Sequence, residues 1–101
     1  MKIKFCGLNN LDSLRYACDL NADFAGFIFA EQSPRKVEPN FIAQLVDFNF
    51  CQTVPVSVFV NPSIQEVQQT IEILPNTILQ FHGDESDDFC SQFHRPFWKS
   101  I

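Results

Sequence analysis

The stretch VPVSVFVNPSIQEVQQTIEILPNTILQFH, residues 54–82, decides the fold. It opens with a β-branched run in which Val56, Val58 and Val60 share one face and Ser57, Phe59 and Asn61 the other, the two-residue period of a strand. Asn61 and Pro62 break that run. Ser63, with Glu66 three residues later, forms a capping-box signature, and Ile64, Val67, Ile71 and Leu74 keep an apolar stripe at helical spacing until Pro75 stops it. A second apolar run, TILQFH, follows at once. A strand, a helix of about ten residues and another strand specify a parallel pair, because a parallel neighbour is reached only by a crossover.

The same unit recurs on both sides. Strand-like runs lie at KIKFC (2–6), FAGFIF (24–29) and FWKSI (97–101). Between them, residues 10–20 place Leu11, Leu14, Ala17 and Cys18 on one helical face, with Asn21 suited to the left-handed position that ends a helix. Residues 39–49 repeat the pattern with Phe41, Ile42, Leu45 and Val46 behind Pro39, a first-turn residue. A shorter helix is expected over 86–93, with Asp87 and Asp88 in the first turn, where the helix dipole favours carboxylates.

Parity within the strands says which kind of parallel sheet this is. Ile3 and Phe5 oppose Lys4 and Cys6; Gln80 and His82 share a face; Lys99 is read as a further polar residue of the fifth strand. Doubly wound sheets are covered by helices on both faces and tend to be apolar on both. A barrel has helices outside only, and polar groups point in near its mouth. The mixed inner faces favour a barrel, and ligands of such folds gather at the carboxyl ends of the strands. Those ends carry Cys6, the loop AEQSPRK with Arg35, Asn61, and His82 with Gly83, Asp84 and Glu85.

Composition narrows the partners. In 101 residues, 46 % are hydrophobic and the net charge is −5, enough apolar content for one domain and no basic cluster for nucleic acid or an anionic membrane. There is no signal-peptide pattern and no apolar run near the ~20 residues of a membrane span, so a cytoplasmic location is the expectation. Cys6, Cys18, Cys51 and Cys90 show no C-x-x-C pair and no zinc-type spacing with His82 or His94. Cys18, Cys51 and Cys90 are read as small buried hydrophobes, His94 as a solvated turn residue, and the run DESDD (84–88) as helix-terminus chemistry with no metal.

Four stretches, KFCGL, GFIFAEQSPRKV, VSVFVNPS and LQFHGDES, occur in order and together resemble the strand-end signatures of the phosphoribosylanthranilate isomerase family. The resemblance covers residues 2–101. It departs from the family at Asn9 and Asn10, where threonine and arginine are common, and at AEQ, which replaces a more aromatic, basic segment. It implies a (β/α)8 barrel enzyme of tryptophan biosynthesis that rearranges N-(5-phosphoribosyl)anthranilate, an aminoaldose, to 1-(2-carboxyphenylamino)-1-deoxyribulose 5-phosphate, an aminoketose, without a cofactor. It implies Cys6 as the catalytic general base, Arg35 as the group that holds the anthranilate carboxylate, and Gln80 and His82 as substrate-binding residues of the pocket.

These roles fit the chemistry. Opening the sugar to a Schiff base needs an acid at the ring oxygen, and forming the enolamine needs a base at C2; of the two forms of a cysteine only the thiolate can take that proton. Lys4 shares the face of Cys6 at about 6.6 Å along the strand and is the nearest candidate cation. A planar guanidinium suits a benzoate carboxylate in a bidentate way that lysine does not.

The last residue, Ile101, falls inside the fifth strand. The expectation is therefore one partial domain over residues 1–101, the N-terminal half of a (β/α)8 TIM barrel with four βα units and a fifth strand. The family's general acid, an aspartate, and its phosphate-holding loops belong to later strands. By itself such a half is expected to be inactive or nearly so. Its unpaired edge strands invite self-association, as a homo-oligomer, or a complementing C-terminal half. The alternative to a catalytic chain is a non-catalytic half-barrel of that kind. An open α/β signalling module is disfavoured, because a phosphoacceptor site wants acids at the ends of strands 1 and 3, where Cys6 and Asn61 stand.

Overall fold

In the computed structural model, which describes residues 2–99, every one of these runs becomes a strand or a helix. Strands β1 (Lys4–Phe5), β2 (Phe24–Ile28), β3 (Val54–Phe59), β4 (Ile78–Phe81) and β5 (Phe97–Lys99) alternate with helices α1 (Leu11–Asp19), α2 (Pro39–Leu45), α3 (Ile64–Ile73) and α4 (Asp87–Ser91). All neighbouring strands pair in parallel, in the spatial order β1-β2-β3-β4-β5. Chain order and spatial order coincide, so the winding never reverses. A doubly wound sheet must reverse at a switch point; an unreversed one is the winding of a barrel.

The side chains inside the curve show the barrel's stagger. Extended along the sheet, the register sets Lys4 level with Phe24, Val54, Asn76 and His94. Yet Lys4 Nζ lies 5.5 Å from the ring centroid of Trp98, four residues further along β5. Four residues over four strand steps is one per strand, the shear of an eight-stranded (β/α) barrel. The Phe24 ring likewise meets Trp98 edge-on at 5.1 Å. The sheet is the first half of such a barrel, with its concave face lined by Lys4, Phe24, Ile28, Gln80 and Trp98, all half-buried.

The convex face carries the core. Ala25, Phe27, Phe59, Leu79 and Phe81 are buried there, Ala25 and Phe27 in one apolar cluster with Leu14, Ala17, Phe41 and Leu45, and Phe59, Leu79 and Phe81 in a second with Val67 and Cys90. Phe59 stacks between Phe29, at 5.4 Å, and Phe81, at 5.9 Å. The buried hydroxyls of Ser57 and Thr77 bond each other at 2.7 Å, which lets two polar residues occupy the interior.

Local signals act as expected at most helix ends. Asn10, Ser63 and Ser86 accept hydrogen bonds from the backbone N–H groups of Ser13, Glu66 and Phe89, and Asn21, at φ 56°, closes α1. Most elements are shorter than the sequence patterns, β2, β3 and β4 by only one or two residues. The first strand begins only at Lys4, because Ile3 N donates to Asp23 Oδ2 at 2.7 Å and is thereby taken from the ladder. Helix α2 stops at Leu45, where the chain bends to bring Phe48 and Phe50 together at 4.9 Å. Helix α4 ends at Ser91, ahead of His94 with φ 55°. Strand β5 is described to Lys99, and the rest of the expected run, 100–101, lies outside the described residues. No helix among the described residues is long and apolar enough to cross a membrane.

The cysteines divide differently from the expectation. Cys90 is buried and Cys18 half-buried, but Cys51 is exposed at φ 54° in the turn before β3. A turn residue at positive φ carries its side chain toward water and not into the core.

Two outcomes follow from this packing. Phe59→Ala removes the middle ring of the stack, and an equilibrium urea titration should show a loss of about 3–5 kcal/mol. Burial pushes the Cys18 and Cys90 thiols up. Above the unfolded thiol value, about 8.5, the unfolded chain sheds protons that the folded chain keeps, so stability falls as pH rises. The thermal midpoint should decline above about pH 8.5, and Cys90→Ala should make that decline shallower.

Candidate functional site at the carboxyl rim

Cys6 is the first residue past β1, and its side chain is exposed. The chain turns immediately after it. Gly7 takes φ 78°, and the N–H groups of Gly7 and Leu8 both donate to Gly26 O, at 3.0 and 3.1 Å. A residue with a Cβ is strained at that φ. It would also collide: a Cβ on Gly7 would stand 2.8 Å from Arg35 Cδ and 3.2 Å from Arg35 Nη1. The guanidinium of Arg35, from the loop after β2, therefore lies over the turn that follows Cys6.

That loop is held at its base. Lys36 bridges to β2 at Ile28, Val37 N donates to Ile28 O at 2.9 Å, and Arg35 N donates to Ser33 Oγ at 3.1 Å. Lys36 also pairs with Glu31 at 2.7 Å. Arg35 is thus carried by a loop tied back to its own strand.

On the other side of the rim, His82 is the first residue past β4, exposed, with its N–H donating to Phe59 O at 2.9 Å. Gln80 lies within β4 on the same face. The one-residue stagger per strand places the level of Cys6 on β4 at Phe81, between Gln80 and His82. Cys6, Arg35, Gln80 and His82 therefore share one rim, the carboxyl end of the strands, as the sequence pattern leads one to expect. Arg35 meets Gly7, and Lys4 meets Gln80, its Nζ donating to Gln80 Oε1 at 2.6 Å.

Lys4 is also close to Cys6. A Cβ on Gly26 would stand 3.2 Å from Lys4 Cε and 3.4 Å from Cys6 Sγ, so both side chains pass close over this glycine of β2. Lys99 takes a different place from the one expected. It follows Trp98 on the convex parity and pairs with Asp87 of α4 at 3.0 Å, and this hydrogen bond to Asp87 raises its pKa. The fifth strand's inward residue is instead Trp98, paired in register with Gln80; in the sequence it reads only as one more apolar residue of the run.

A clamp that the sequence pattern does not reveal fixes the loops after β3 and β4. Asn61, at φ 47°, donates its N–H to Glu85 Oε2 at 2.7 Å, and its Oδ1 accepts from Asp84 N at 2.9 Å. Glu85 is buried. An asparagine at a strand end, a residue tolerant of positive φ, is the one signal of it in the sequence. Among the described residues no three His, Cys, Asp or Glu side chains converge as a metal site.

A family model described as N-(5'phosphoribosyl)anthranilate (PRA) isomerase matches residues 3–101. The chain belongs to that family. A curated N-(5'-phosphoribosyl)anthranilate isomerase of Hahella chejuensis is 37 % identical over 105 residues, all of this chain and 47 % of the relative. Among solved structures, TrpF of Jonesia denitrificans is 30 % identical with a TM-score of 0.84, and phosphoribosyl anthranilate isomerase of Thermus thermophilus 26 % identical with a TM-score of 0.86. Each aligns with all of this chain, which covers 51 % and 52 % of theirs. The chain spans about half the length of the relatives it matches.

The Gly7 turn can be tested directly. Gly7→Ala imposes a left-handed backbone on a residue with a Cβ, a cost of about 1–2 kcal/mol, and displaces Arg35. A urea midpoint lowered accordingly, with altered Arg35 side-chain NMR signals, is the expected outcome.

Proposed function

We propose that this chain provides the first half of a phosphoribosylanthranilate isomerase, acting in tryptophan biosynthesis on N-(5-phosphoribosyl)anthranilate. The observation that carries the reading is the placement of the Arg35 guanidinium over Gly7, directly beside Cys6. A carboxylate-binding fork and a thiol set side by side match a substrate with a benzoate at one end and a sugar carbon to be deprotonated at the other.

In this reading Arg35 holds the anthranilate carboxylate in a bidentate grip. Once the ribose ring has opened to the Schiff base, the Cys6 thiolate removes the proton at C2. The electron pair moves into the C1–C2 bond to give the enolamine, and the protonated iminium nitrogen becomes an amine. Tautomerisation of the enol at C2 completes the aminoketose. Gln80 and His82 line the space over the sugar. The acid that opens the ring and the grip on the phosphate come, in the family, from strands beyond the half that this chain matches.

Alone, the chain is proposed to be inactive or nearly so, since loss of a general acid costs roughly 10²–10⁴ in rate and loss of the phosphate grip costs positioning. The test mixes it with the C-terminal half of a family member. Isomerisation should appear on mixing. Cys6→Ala should remove about 10²–10⁴ of it, while Arg35→Lys should act mainly by raising KM. Full activity of the Cys6→Ala mixture would overturn the assignment, and turnover by the chain alone well above background would overturn its proposed inactivity.

A second reading rests on the sheet edges. Among the described residues β1 pairs only with β2, and β5 only with β4. Exposed edges and a half-buried concave face fit a non-catalytic half-barrel that closes on another half. Light scattering should then show a species larger than the 11.6 kDa chain; a monodisperse monomer rules this reading out.

A further inference from the structure

We infer that Cys18 and Cys51 form a thiol–disulfide site at the amino-terminal end of the strands, opposite the rim, and that its oxidant is a low-molecular-weight disulfide such as glutathione disulfide. The site is separate from Cys6 and does not rest on the isomerase reading.

The fold brings the two chain segments together. After α1 the chain doubles back on the last turn of the helix, with Asn21 N donating to Cys18 O at 3.0 Å and Ala22 N to Ala17 O at 3.1 Å. The residues entering β3 lie against that turn. The buried Thr53 hydroxyl donates to Ala22 O at 2.8 Å, and Val54 N to Asp23 O at 2.9 Å. Cys51 stands just before Thr53, in a turn held by its own N–H on Asn49 Oδ1 at 2.9 Å and by Thr53 N on Phe50 O at 3.0 Å. Electrostatics agrees with this placement. Burial pushes the Cys18 thiol up, the Thr53 hydroxyl offsets part of that rise, and the charge of Cys51 adds to it.

Exposure divides the roles. Cys51 is exposed, in the wall of a cavity of about 460 Å³ that Phe48, Asn49, Gln52 and Asn76 also line, a size that admits a small peptide. Cys18 is half-buried and packs against the core cluster of α1, so an external disulfide meets Cys51 first. The Cys51 thiolate attacks one sulfur of glutathione disulfide, forming a mixed disulfide and releasing one glutathione thiolate. The Cys18 thiolate then attacks the Cys51 sulfur, which forms the Cys18–Cys51 bond and releases the second glutathione. The two cysteines give up two protons and two electrons, and the two glutathiones take them. The bond ties the end of α1 to the entrance of β3.

A disulfide closes only where the two Cα atoms come within about 7 Å, so its formation in the folded chain is itself the geometric test. The chain is equilibrated with glutathione and glutathione disulfide and mapped by mass spectrometry without reduction. The expected product has lost two hydrogens, carries a Cys18–Cys51 link and returns to the free thiols with dithiothreitol. Cys90→Ser should keep the link. Cys18→Ser should stop at a glutathione adduct on Cys51, and Cys51→Ser should leave Cys18 unmodified. A wild-type chain that stays unmodified, that holds glutathione on Cys51 with Cys18 still free, or that links Cys51 to a different cysteine overturns the inference. The wild-type map decides this by itself, so a variant that fails to fold does not leave the question open.

Discussion

A parallel strand can be reached from its predecessor only by carrying the chain back along the outside of the sheet, and this chain does so four times in the same direction. Two results follow from that constraint. All helices must lie on one side, so the sheet has an oily convex face and a concave face free to be mixed. All carboxyl ends must also lie at one rim, so residues as distant in sequence as Cys6, Arg35 and His82 come to the same height. Neither result depends on the identity of any rim residue, and the convex aromatic stack of Phe29, Phe59 and Phe81 holds the curvature from the side opposite the chemistry. Fold and site are separated across one layer of backbone.

The concave face is not apolar in the way a closed core is. Lys4, Phe24, Gln80 and Trp98 come from four strands; Lys4 with Phe24 and Gln80 with Trp98 are register pairs, and the two pairs meet each other only through the stagger. In a flat sheet the register would leave Lys4 and Trp98 four residues out of step. Their contact is therefore a measure of curvature, and a polar one. An ammonium that is satisfied by an amide oxygen and an aromatic face can occupy a half-buried position without a carboxylate partner.

Legible in the sequence was whatever depends on local chemistry. Ser63 before Glu66, Asn21 after Leu20 and the alternation of β3 each act through atoms a few residues away, and each appears in the structure as read. The rim was legible one step further, because strand ends in a parallel sheet must coincide. Long-range pairings were not. Asp23 shortens β1 by taking the Ile3 N–H, Phe50 folds back on Phe27 at 6.1 Å and ends α2 early, and Asp87 draws Lys99 to the convex side. Cys51 departs from expectation for a related reason: free cysteine is usually inside, but the left-handed turn that enters β3 leaves this one in water. In each case a partner outside the local window outweighed a pattern inside it.

The two sides of the rim are made rigid by different means. At β1 and β2 the means is space: Gly7 lacks the atom that would displace Arg35, and Lys4 and Cys6 pass close over Gly26. At β3 and β4 it is hydrogen bonding, with the Glu85 carboxylate on the Asn61 N–H and the Asn61 side chain on the Asp84 N–H. The clamp has a cost, since Glu85 Oε1 is buried without a hydrogen-bond partner among the described residues. The rim thus presents an exposed thiol and an exposed imidazole on backbone that is fixed from both sides. The thiol side is shaped by absent atoms, and the side of β3 and β4 by hydrogen bonds that leave one carboxylate oxygen without a partner among the described residues.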